Sequence, residues 1–463
     1  MMDTIDTAMI ADRLNRLVKL AVDTGEAATI EDAQRLFAGY RLAISVGADA
    51  ARSATGQAAL LTAVNTSRRS LLGGVEVAGI ADAPLLVPLM PYRTLDEAVL
   101  GLGGKIVDAA RQDAPLVVIG DGAAKAGHRF AVRTTFEGWT GGIVPADADA
   151  MRLGERRELV PSGVLAGALA VAEAFQHLRG NQPAAGRRSA GLSLWRPELD
   201  WRDPEAAGPD IVRLPSALWL IGLGNLGQAY LWTLGLLPYA DPYAVRLVLQ
   251  DFDVLAESND STSLLTQPAL VGQYKTRAMA QWAERRGFRT AIVERRFRPD
   301  FRAGAPDPAV ALCGVDNALA RAGLEDVGFG RIIEAGLGSG TSDFLGFRTH
   351  VFPGARKAQD IWGSDAVDST IHLDLPAYKS LAASGADRCG LTRLAGRTVG
   401  APFVGAIAGA AVVAELLRLV NGGRGYDLID AHLKDLSHRT VVPAENLPPF
   451  NPGSTEAATA AAG

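Results

Sequence analysis

The sequence predicts an α/β protein in which one chain of 463 residues forms two similar halves. The second half reads as a buried strand at 218–221, a glycine-rich turn at 222–227, a helix and then further strands. The first half repeats that order of elements. Residues 163–173 and 405–415, a constant 242 positions apart, share Gly, Ala, Gly, Ala, Val, Ala and Glu. Together with the repeated element order, this likeness favours a duplicated architecture over chance similarity between two alanine-rich helices.

The turn Gly222-Leu-Gly224-Asn-Leu-Gly227 follows the first strand of the second half. Glycines there permit a tight turn and let a phosphate approach the N-terminus of the next helix. Asp251 follows the strand 245–250, where an acid suits a ribose hydroxyl. These features alone predict only a nucleotide on a Rossmann-like unit, because G-x-G-x-x-G by itself is a weak signal.

The polar residues that follow this turn narrow the prediction to ATP-dependent adenylation. When a carboxylate attacks the α-phosphorus of ATP, negative charge builds while pyrophosphate leaves. Such a site needs an ammonium on the phosphates, a carboxylate for Mg²⁺ and a polar anchor beside the α-phosphate. Lys275, Asp316 and Asn259 are the right chemical types for these roles.

In order and spacing, residues 214–419 resemble the ThiF/MoeB and ubiquitin-activating enzyme superfamily. The family's D-x-D-x-V-x-x-S-N motif is matched by Asp251-Phe-Asp253-Val-Leu-Ala-Glu-Ser-Asn259. Lys275 stands sixteen positions after that asparagine, and Asp316-Asn317 follows later with Arg321. The chain is most like the activating enzymes of bacterial ubiquitin-like conjugation operons, which often serve in defence against phage.

The resemblance implies an ATP- and Mg²⁺-dependent enzyme with a ThiF-type fold. It implies that Asp251 binds ribose, that Asn259 and Lys275 contact phosphates, and that Asp316 holds Mg²⁺. The remaining nucleotide-binding residues that it implies are Gly222, Gly224, Gly227 and Asp253. A structural alternative for Asp251 and Lys275 is a surface salt bridge, and Asp253 has an alternative role as a loop cap.

One position departs from the family pattern. The family places an arginine three residues after the motif's asparagine, where this chain has Thr262. Another cation is therefore expected to replace it, either Arg277 or one from the N-terminal half. Arg35 and Arg213 are candidates for reaching the phosphates, although each is more often a plain surface arginine.

The first half is predicted to be a degenerate copy of the second. A strand at 41–46 leads to Gly47-Ala-Asp49, and a helix at 55–69 and strands at 74–78 and 116–119 follow. An acid in that turn would repel a phosphate rather than bind it. We therefore expect residues 1–195 to form an inactive adenylation-like domain and residues 196–446 the active one, as a pseudo-dimer. Residues 447–463 are predicted to be a disordered tail.

The chain has two cysteines, which excludes a disulfide framework and a zinc site of paired CxxC motifs. Cys389 lies in an insertion at about 355–398, where relatives that charge a ubiquitin-like protein carry the cysteine that accepts the acyl group. Cys313 lies within an apolar strand and is expected to be structural. Cys389 is therefore the predicted nucleophile, with Lys275 and Asp316 as the other catalytic residues.

The overall composition is compatible with a soluble enzyme. Hydrophobic residues make up 48% and charged residues 21%, and a net charge of −5 with dispersed Lys and Arg gives no nucleic-acid signature. The N-terminus lacks the pattern of a secretion signal. The apolar run 399–413 is short for a membrane span. A cytoplasmic protein without membrane attachment is predicted.

The resulting hypothesis is an ATP-dependent activating enzyme for a ubiquitin-like protein. It would adenylate the C-terminal carboxylate, move the acyl group to Cys389 as a thioester and transfer it to a conjugating enzyme. The alternatives are a sulfur-carrier adenylyltransferase without a thioester, an NAD(P)-dependent Rossmann oxidoreductase and a non-catalytic scaffold. Whether two such chains associate as a homodimer of pseudo-dimers is left open by the sequence.

Overall fold

The computed structural model describes residues 7–80, 82–124, 127–298, 300–363, 373–445 and 449–458. Its strands fall into one sheet in each half of the chain and a small additional pair.

The first half contains one seven-stranded sheet. Its strands are Leu42–Val46 (β1), Val75–Ala78 (β2), Lys105–Ile106 (β3), Leu116–Ile119 (β4), Ala131–Glu137 (β5), Thr140–Pro145 (β6) and Ala190–Ser193 (β7). Their order is β3-β2-β1-β4-β5-β6-β7, parallel from β3 to β5 and antiparallel beyond it. β1 and β4 are buried along their whole length, as continuous apolar runs in central parallel strands require. The strands predicted near 41–46, 74–78 and 116–119 are therefore confirmed.

The second half contains an eight-stranded sheet and a two-stranded one. The strands are Arg213–Pro215 (β8), Ala217–Ile221 (β9), Arg246–Gln250 (β10), Arg289–Val293 (β11), Val310–Cys313 (β12), Arg331–Leu337 (β13), Gly346–Phe352 (β14), Tyr426–His432 (β15), Asp435–Pro443 (β16) and Ser454–Glu456 (β17). The large sheet has the order β11-β10-β9-β12-β13-β14-β15-β16 and is parallel from β11 to β13. Apart from its final strand, it follows the same path as the first sheet, so the two halves share one topology.

The α-helices connect these strands and cover the sheets. They are Thr7–Arg13 (α1), Val18–Asp23 (α2), Ile30–Ala38 (α3), Ala48–Ala51 (α4), Ala54–Ser70 (α5), Leu95–Gly101 (α6), Val160–Arg179 (α7), Asn225–Leu236 (α8), Lys275–Arg285 (α9), Ala318–Ala322 (α10), Gly340–Asp343 (α11), Ala358–Trp362 (α12), Pro376–Ala383 (α13), Arg388–Ala395 (α14) and Pro402–Val420 (α15).

Small residues on α7 and α15 explain the repeat seen in the sequence. A side chain added at Gly163 or Gly167 would lie 2.2 or 2.1 Å from a carbonyl oxygen of α5. Added at Gly409, it would lie 2.8 Å from the carbonyl oxygen of Ala229 on α8. In each half, the long helix therefore packs backbone against backbone on the helix that follows the first strand.

The two halves pack together through these four helices. The rings of Phe175 on α7 and Phe403 on α15 lie 5.4 Å apart. The indole N–H of Trp232 on α8 donates to the hydroxyl of Thr62 on α5 at 3.0 Å. Both of these polar groups are buried, so the hydrogen bond between them fixes how the halves meet.

Among the described residues, one helix is long and apolar enough to span a bilayer by composition. This helix is α15, and 89% of its apolar window is buried inside the protein. Its apolar character is therefore accounted for by its position between the two sheets.

The C-terminal tail departs from the sequence prediction. Within 447–463, residues 449–458 are described, and Ser454–Glu456 form β17. This strand pairs antiparallel with β8, and Arg213 Nε donates to Ser454 Oγ at 2.7 Å. The prediction of disorder is wrong for this segment, because composition does not reveal a pairing partner more than 200 residues away.

Candidate active site

The glycine-rich turn joins β9 to α8 at the carboxyl edge of the second sheet. Gly222 has φ +85°, a conformation that favours glycine, and a side chain on Gly227 would meet the Gly222 carbonyl oxygen at 2.0 Å. By contrast, no atom lies within 4 Å of the position that a Gly224 side chain would take. The turn is therefore closely packed at Gly222 and Gly227 and open at Gly224. This open side lies at the N-terminus of α8, where an anion is favoured.

Asp251 is a buried carboxylate at the end of β10, beside this turn. Its Oδ2 accepts from the backbone N–H of Leu223 at 2.7 Å. Its Oδ1 accepts from the N–H groups of Phe252 and Asp253 at 2.7 and 2.9 Å. These bonds hold the carboxylate against the glycine turn in one orientation.

Lys275 is buried at the start of α9, with only 9% of its surface exposed. Its Nζ lies 2.9 Å from Asp253 Oδ2 and 4.0 Å from Asp251 Oδ2. The ammonium thus lies between both predicted acids and is not part of a surface salt bridge.

Asn259 and Thr262 lie on and just after the short 3₁₀ helix Glu257–Ser261. Asn259 Oδ1 accepts from the Ala256 N–H at 2.9 Å, which fixes the start of that helix. Thr262 is buried, and its Cγ2 lies 3.0 Å from the position a side chain on Gly400 would take. Thr262 therefore packs closely against Gly400.

Asp316 lies three residues beyond β12, at the same edge of the sheet, and is exposed. The carbonyl oxygen of Val315 accepts from Arg321 Nε at 2.8 Å, and Asn317 Oδ1 accepts from the Ala320 N–H at 3.0 Å to cap α10. A free carboxylate at a rigid position is available to a metal ion. Among the described residues there is no cluster of three or more His, Cys, Asp or Glu side chains suited to a metal.

Arg16 is the residue of this site that the sequence prediction missed. It lies between α1 and α2, its N–H donates to Ser261 Oγ at 3.1 Å, and its side chain begins beside Gly400 and Thr262. The pKa of Arg16 is lowered to about 10, mainly by burial and also by the charge of Arg397, while Asp12 and Asp316 act in the opposite sense. Arg16 therefore brings a positive charge from the first half into the site, next to the position where the family has its arginine.

The three arginines named from the sequence lie elsewhere. Arg35 is an exposed residue of α3 that pairs with Asp32. Arg213 is exposed and is bonded to the tail strand. Arg277 forms a surface pair with Glu294 at 2.7 Å. Arg16 is not predictable from a local sequence motif, because it is 245 positions from Ser261, the residue of the site that it contacts.

The two cysteines differ sharply in environment. Cys313 is fully buried at the end of β12, and burial together with the charge of Glu334 raises the pKa of its thiol to about 12. Cys389 is exposed in the first turn of α14, which Asp387 caps by accepting from the Gly390 N–H at 2.8 Å. Arg393 and Arg397 at the far end of this segment pair with Asp12 at 3.0 and 2.9 Å. The exposed thiol is thus carried on a helix that is tethered to the Arg16 region.

The equivalent positions of the first half carry different residues. Asp49 stands where Gly224 does, and its carboxylate accepts from the Asp121 N–H at 2.9 Å within the turn itself. Ser45 pairs with Ala78 in the first sheet as Leu220 pairs with Leu249 in the second, so Ala78 and Leu249 are equivalent. Two positions later, Ile80 therefore stands where Asp251 does. Three residues after the equivalent strands β4 and β12, the first half has Gly122 where the second half has Asp316.

A surface cleft of about 570 Å³ lies in the first half, between residues 150–153 and 200–204. Its arginines are paired within the protein, Arg152 with Asp121 at 2.8 Å and Arg202 with Asp200 at 3.6 Å. Both arginines that line this cleft therefore already have carboxylate partners.

Comparison with known proteins gives a consistent picture. The family model described as the BilD C-terminal domain matches residues 214–423, and that of the BilD N-terminal domain matches residues 41–194. The bacterial E1-like protein BilD of Collimonas sp. (strain OK412) is 46% identical over 448 residues, which is 96% of both chains.

Solved structures are similar at a lower level. E. coli tRNA N6-threonylcarbamoyladenosine dehydratase, TcdA, is 14% identical with a TM-score of 0.29, covering 45% of this chain and 86% of its own. E. coli MccB is 11% identical with a TM-score of 0.34, covering 68% of this chain and 93% of its own. Such scores carry no weight for fold or activity. The family is shown by the full-length identity with the Collimonas relative and by the two matched domain models. The chain belongs to the BilD family of bacterial E1-like proteins.

Proposed function

We propose that this protein activates a ubiquitin-like protein by ATP-dependent adenylation of its C-terminal carboxylate and then holds the acyl group as a thioester. The observation that carries the proposal is the convergence of one anion-binding turn, one buried and one half-exposed acid, two cations and one further exposed acid at a single sheet edge. These are the Gly222–Gly227 turn, Asp251, Asp253, Lys275, Arg16 and Asp316.

The groups suit ATP bound with its phosphates over the open face of Gly224. Asp251 would accept the ribose hydroxyls, and Asn259 would lie towards the α-phosphate. Lys275 would exchange its contact with Asp253 for phosphate oxygens, since its ammonium lies only 2.9 Å from that carboxylate. Arg16, with Arg397 beside it, would supply the positive charge that Thr262 lacks.

In the adenylation step, a carboxylate oxygen of the carrier protein attacks the α-phosphorus and the bond to pyrophosphate breaks. Lys275, once it has left Asp253 for the phosphates, and Arg16 would stabilise the charge that moves onto pyrophosphate. Asp316 is a suitable Mg²⁺ ligand, since Mg²⁺ is commonly bound through one or two carboxylates together with substrate phosphates. When bound, Mg²⁺ would neutralise charge on the departing phosphates.

In the second step, the thiolate of Cys389 would attack the acyl carbon, and AMP would leave with the bonding electrons. Exposure of Cys389 and burial of Cys313 support this assignment. The thioester would then pass to a conjugating enzyme. By the family resemblance, the proposed setting is the bacterial cytoplasm, in an operon that serves defence against phage.

We further propose that residues 1–195 are an inactive adenylation-like domain and that the two halves form a pseudo-dimer. The shared strand order supports duplication. The replacement of Gly224, Asp251 and Asp316 by Asp49, Ile80 and Gly122 supports the loss of nucleotide binding in the first half. Proposed domain boundaries are 1–195, 196–446 with an insertion at about 355–398, and 447–463.

The test is incubation with ATP, Mg²⁺ and a ubiquitin-like protein encoded beside this one, followed by a non-reducing gel. A thiol-sensitive adduct that survives Cys313→Ala and disappears in Cys389→Ala is expected. Asp316→Ala should abolish both the adduct and exchange of pyrophosphate into ATP. A sulfur-carrier adenylyltransferase would show exchange without an adduct, and a nicotinamide oxidoreductase would show neither.

A further inference from the structure

Glu334 is a buried carboxylate that the proposed chemistry does not use. It lies in the middle of β13 with 0% of its surface exposed. Burying an ionised carboxylate is costly unless it is paired and hydrogen-bonded. Its partners therefore indicate why an acid is present at this position.

Both oxygens of Glu334 face a basic side chain. Arg321 Nε on α10 lies 3.1 Å from Oε1, and His350 Nδ1 lies 3.0 Å from Oε2. His350 stands directly opposite Glu334 in the pairing of β13 with β14. Trp362 covers this group, with its ring 5.1 Å from the ring of His350 and 5.7 Å from the Arg321 guanidinium.

Arg321 connects this buried pair to the site. Its Nε–H donates to the carbonyl oxygen of Val315 at 2.8 Å, in the peptide group that immediately precedes Asp316, while its contact with Glu334 Oε1 is an ion pair without a hydrogen bond. On the other side of Gly314, the hydroxyl of Tyr230 donates to the carbonyl oxygen of Cys313 at 3.0 Å. The loop that carries Asp316 is thus held by a side chain on each side of its glycine.

The charge of Glu334 acts at this end of β12. Burial raises the pKa of Tyr230 well above its usual value, and the Glu334 carboxylate adds to that effect. The same two causes, in the same order, raise the pKa of Cys313. The anion therefore lies close to both residues that flank the loop.

We propose that Glu334, anchored by His350, positions the Asp316 carboxylate for its metal ion by fixing Arg321 against the Val315 carbonyl. This inference rests on the proposed function of Asp316. Glu334, Arg321 and His350 are positioning residues, since none of them reaches the exposed carboxylate itself. A solely structural role is a weaker explanation, because well-packed apolar residues usually replace a buried ion pair without loss of stability.

The test is Glu334→Gln in the full-length protein, with Mn²⁺ titrated into the protein–ATP complex and free Mn²⁺ followed by electron paramagnetic resonance. We expect the Mn²⁺ affinity to fall about 10-fold, the lower end of the range for groups behind a metal ligand. Pyrophosphate exchange should need correspondingly more Mg²⁺ and recover at saturation. ATP binding in the absence of divalent metal should be unchanged.

A solely structural role would lower the folded fraction and maximal exchange without moving the metal midpoint, and that outcome would overturn the proposal. Arg321→Lys gives an independent variant, because lysine keeps the charge but lacks the guanidinium Nε–H that donates to Val315 while it faces Glu334. It should also weaken metal binding, even if Glu334→Gln does not fold. The matched control is Arg348→Gln. Arg348 lies on β14, the strand that carries His350, and the change removes an exposed ion pair with Asp430.

Failure of the proposed function has a different signature. If the unaltered protein bound neither ATP nor Mn²⁺ with ATP, both proposals would fall together. If it bound both and Glu334→Gln bound Mn²⁺ equally well, only the positioning role would be refuted.

Discussion

Arg16→Met should make the protein more stable and less active. Burial lowers the pKa of Arg16 from 12.5 to about 10, so the charged form is less favourable in the folded protein than in the unfolded chain. A pKa lowered this far corresponds to a destabilisation on the order of 3 kcal/mol. Methionine keeps an apolar stem of similar length and carries no charge, and the Arg16 N–H bond to Ser261 does not involve the side chain. The free energy of unfolding should therefore rise by up to about 3 kcal/mol.

Activity should move in the opposite direction. Removing one group that stabilises charge in the transition state typically lowers kcat by about 10²- to 10³-fold. Since Thr262 supplies no positive charge, no other side chain of that segment takes over from Arg16. Pyrophosphate exchange measured alongside urea unfolding would show both effects in one preparation.

Arg13→Met is the matched control for this experiment. Arg13 lies one turn earlier, its side chain is 58% exposed, and it pairs with Glu257 at 3.2 Å. Such a surface pair contributes about 1 kcal/mol at most, so neither stability nor exchange should change much. Wild-type exchange in Arg16→Met would refute the phosphate role. Lost exchange accompanied by lower stability would refute the burial argument and make Arg16 a structural residue.

Three further outcomes are expected. Native protein should take up one equivalent of iodoacetamide, at Cys389, and a second at Cys313 only after unfolding; labelling of Cys313 in native protein, read by peptide mass spectrometry, would contradict its burial. Burial lowers the pKa values of His177 and His432 below 6.5, so the unfolded chain binds more protons and stability should fall as pH drops below 6.5. In urea unfolding at several pH values, the stability of the His177→Asn, His432→Asn double variant should depend less on pH. Gly409→Ala should cost roughly 1–3 kcal/mol, because the added carbon lies 2.8 Å from a backbone oxygen, whereas Gly304→Ala, with 3.5 Å to its nearest neighbour, should cost less in thermal unfolding.

The glycine turn, its flanking strands and the acid after β10 are predictable from the sequence because they are local. A strand that ends at Ile221 and is followed by a helix from Asn225 leaves few alternatives, and the φ of +85° at Gly222 explains the glycine there. The same holds for the first half, where β1, β2 and β4 lie within a residue of their predicted ranges. Hydrophobic runs and turn residues are read directly from neighbouring positions.

Features that depend on distant parts of the chain were not predictable in this way. Arg16 reaches the site only because its N–H bonds to Ser261, and β17 forms only because β8 offers a free edge. Glu334 was visible within a glycine-rich segment, but its role depends on Arg321 and His350, which meet it through tertiary packing. The spacing of the motif residues and their family resemblance led to the ATP hypothesis. The cation that replaces the family's arginine at Thr262 was found only in the structure.

The contacts across the two halves hold a segment of the proposed site in the second half. Arg69 on α5 is buried, and its guanidinium donates to the carbonyl oxygens of Ser263, Leu264 and Thr266 at 3.2, 3.1 and 2.8 Å. Its neighbour Arg68 holds Asp260 through two bonds at 3.0 and 2.6 Å. These bonds fix the segment that follows Asn259, and Arg16 adds its charge from the same half. Since buried carbonyl groups are costly to leave unpaired, separating the halves would release that segment. The first half therefore helps to determine the shape of the site that we propose in the second half.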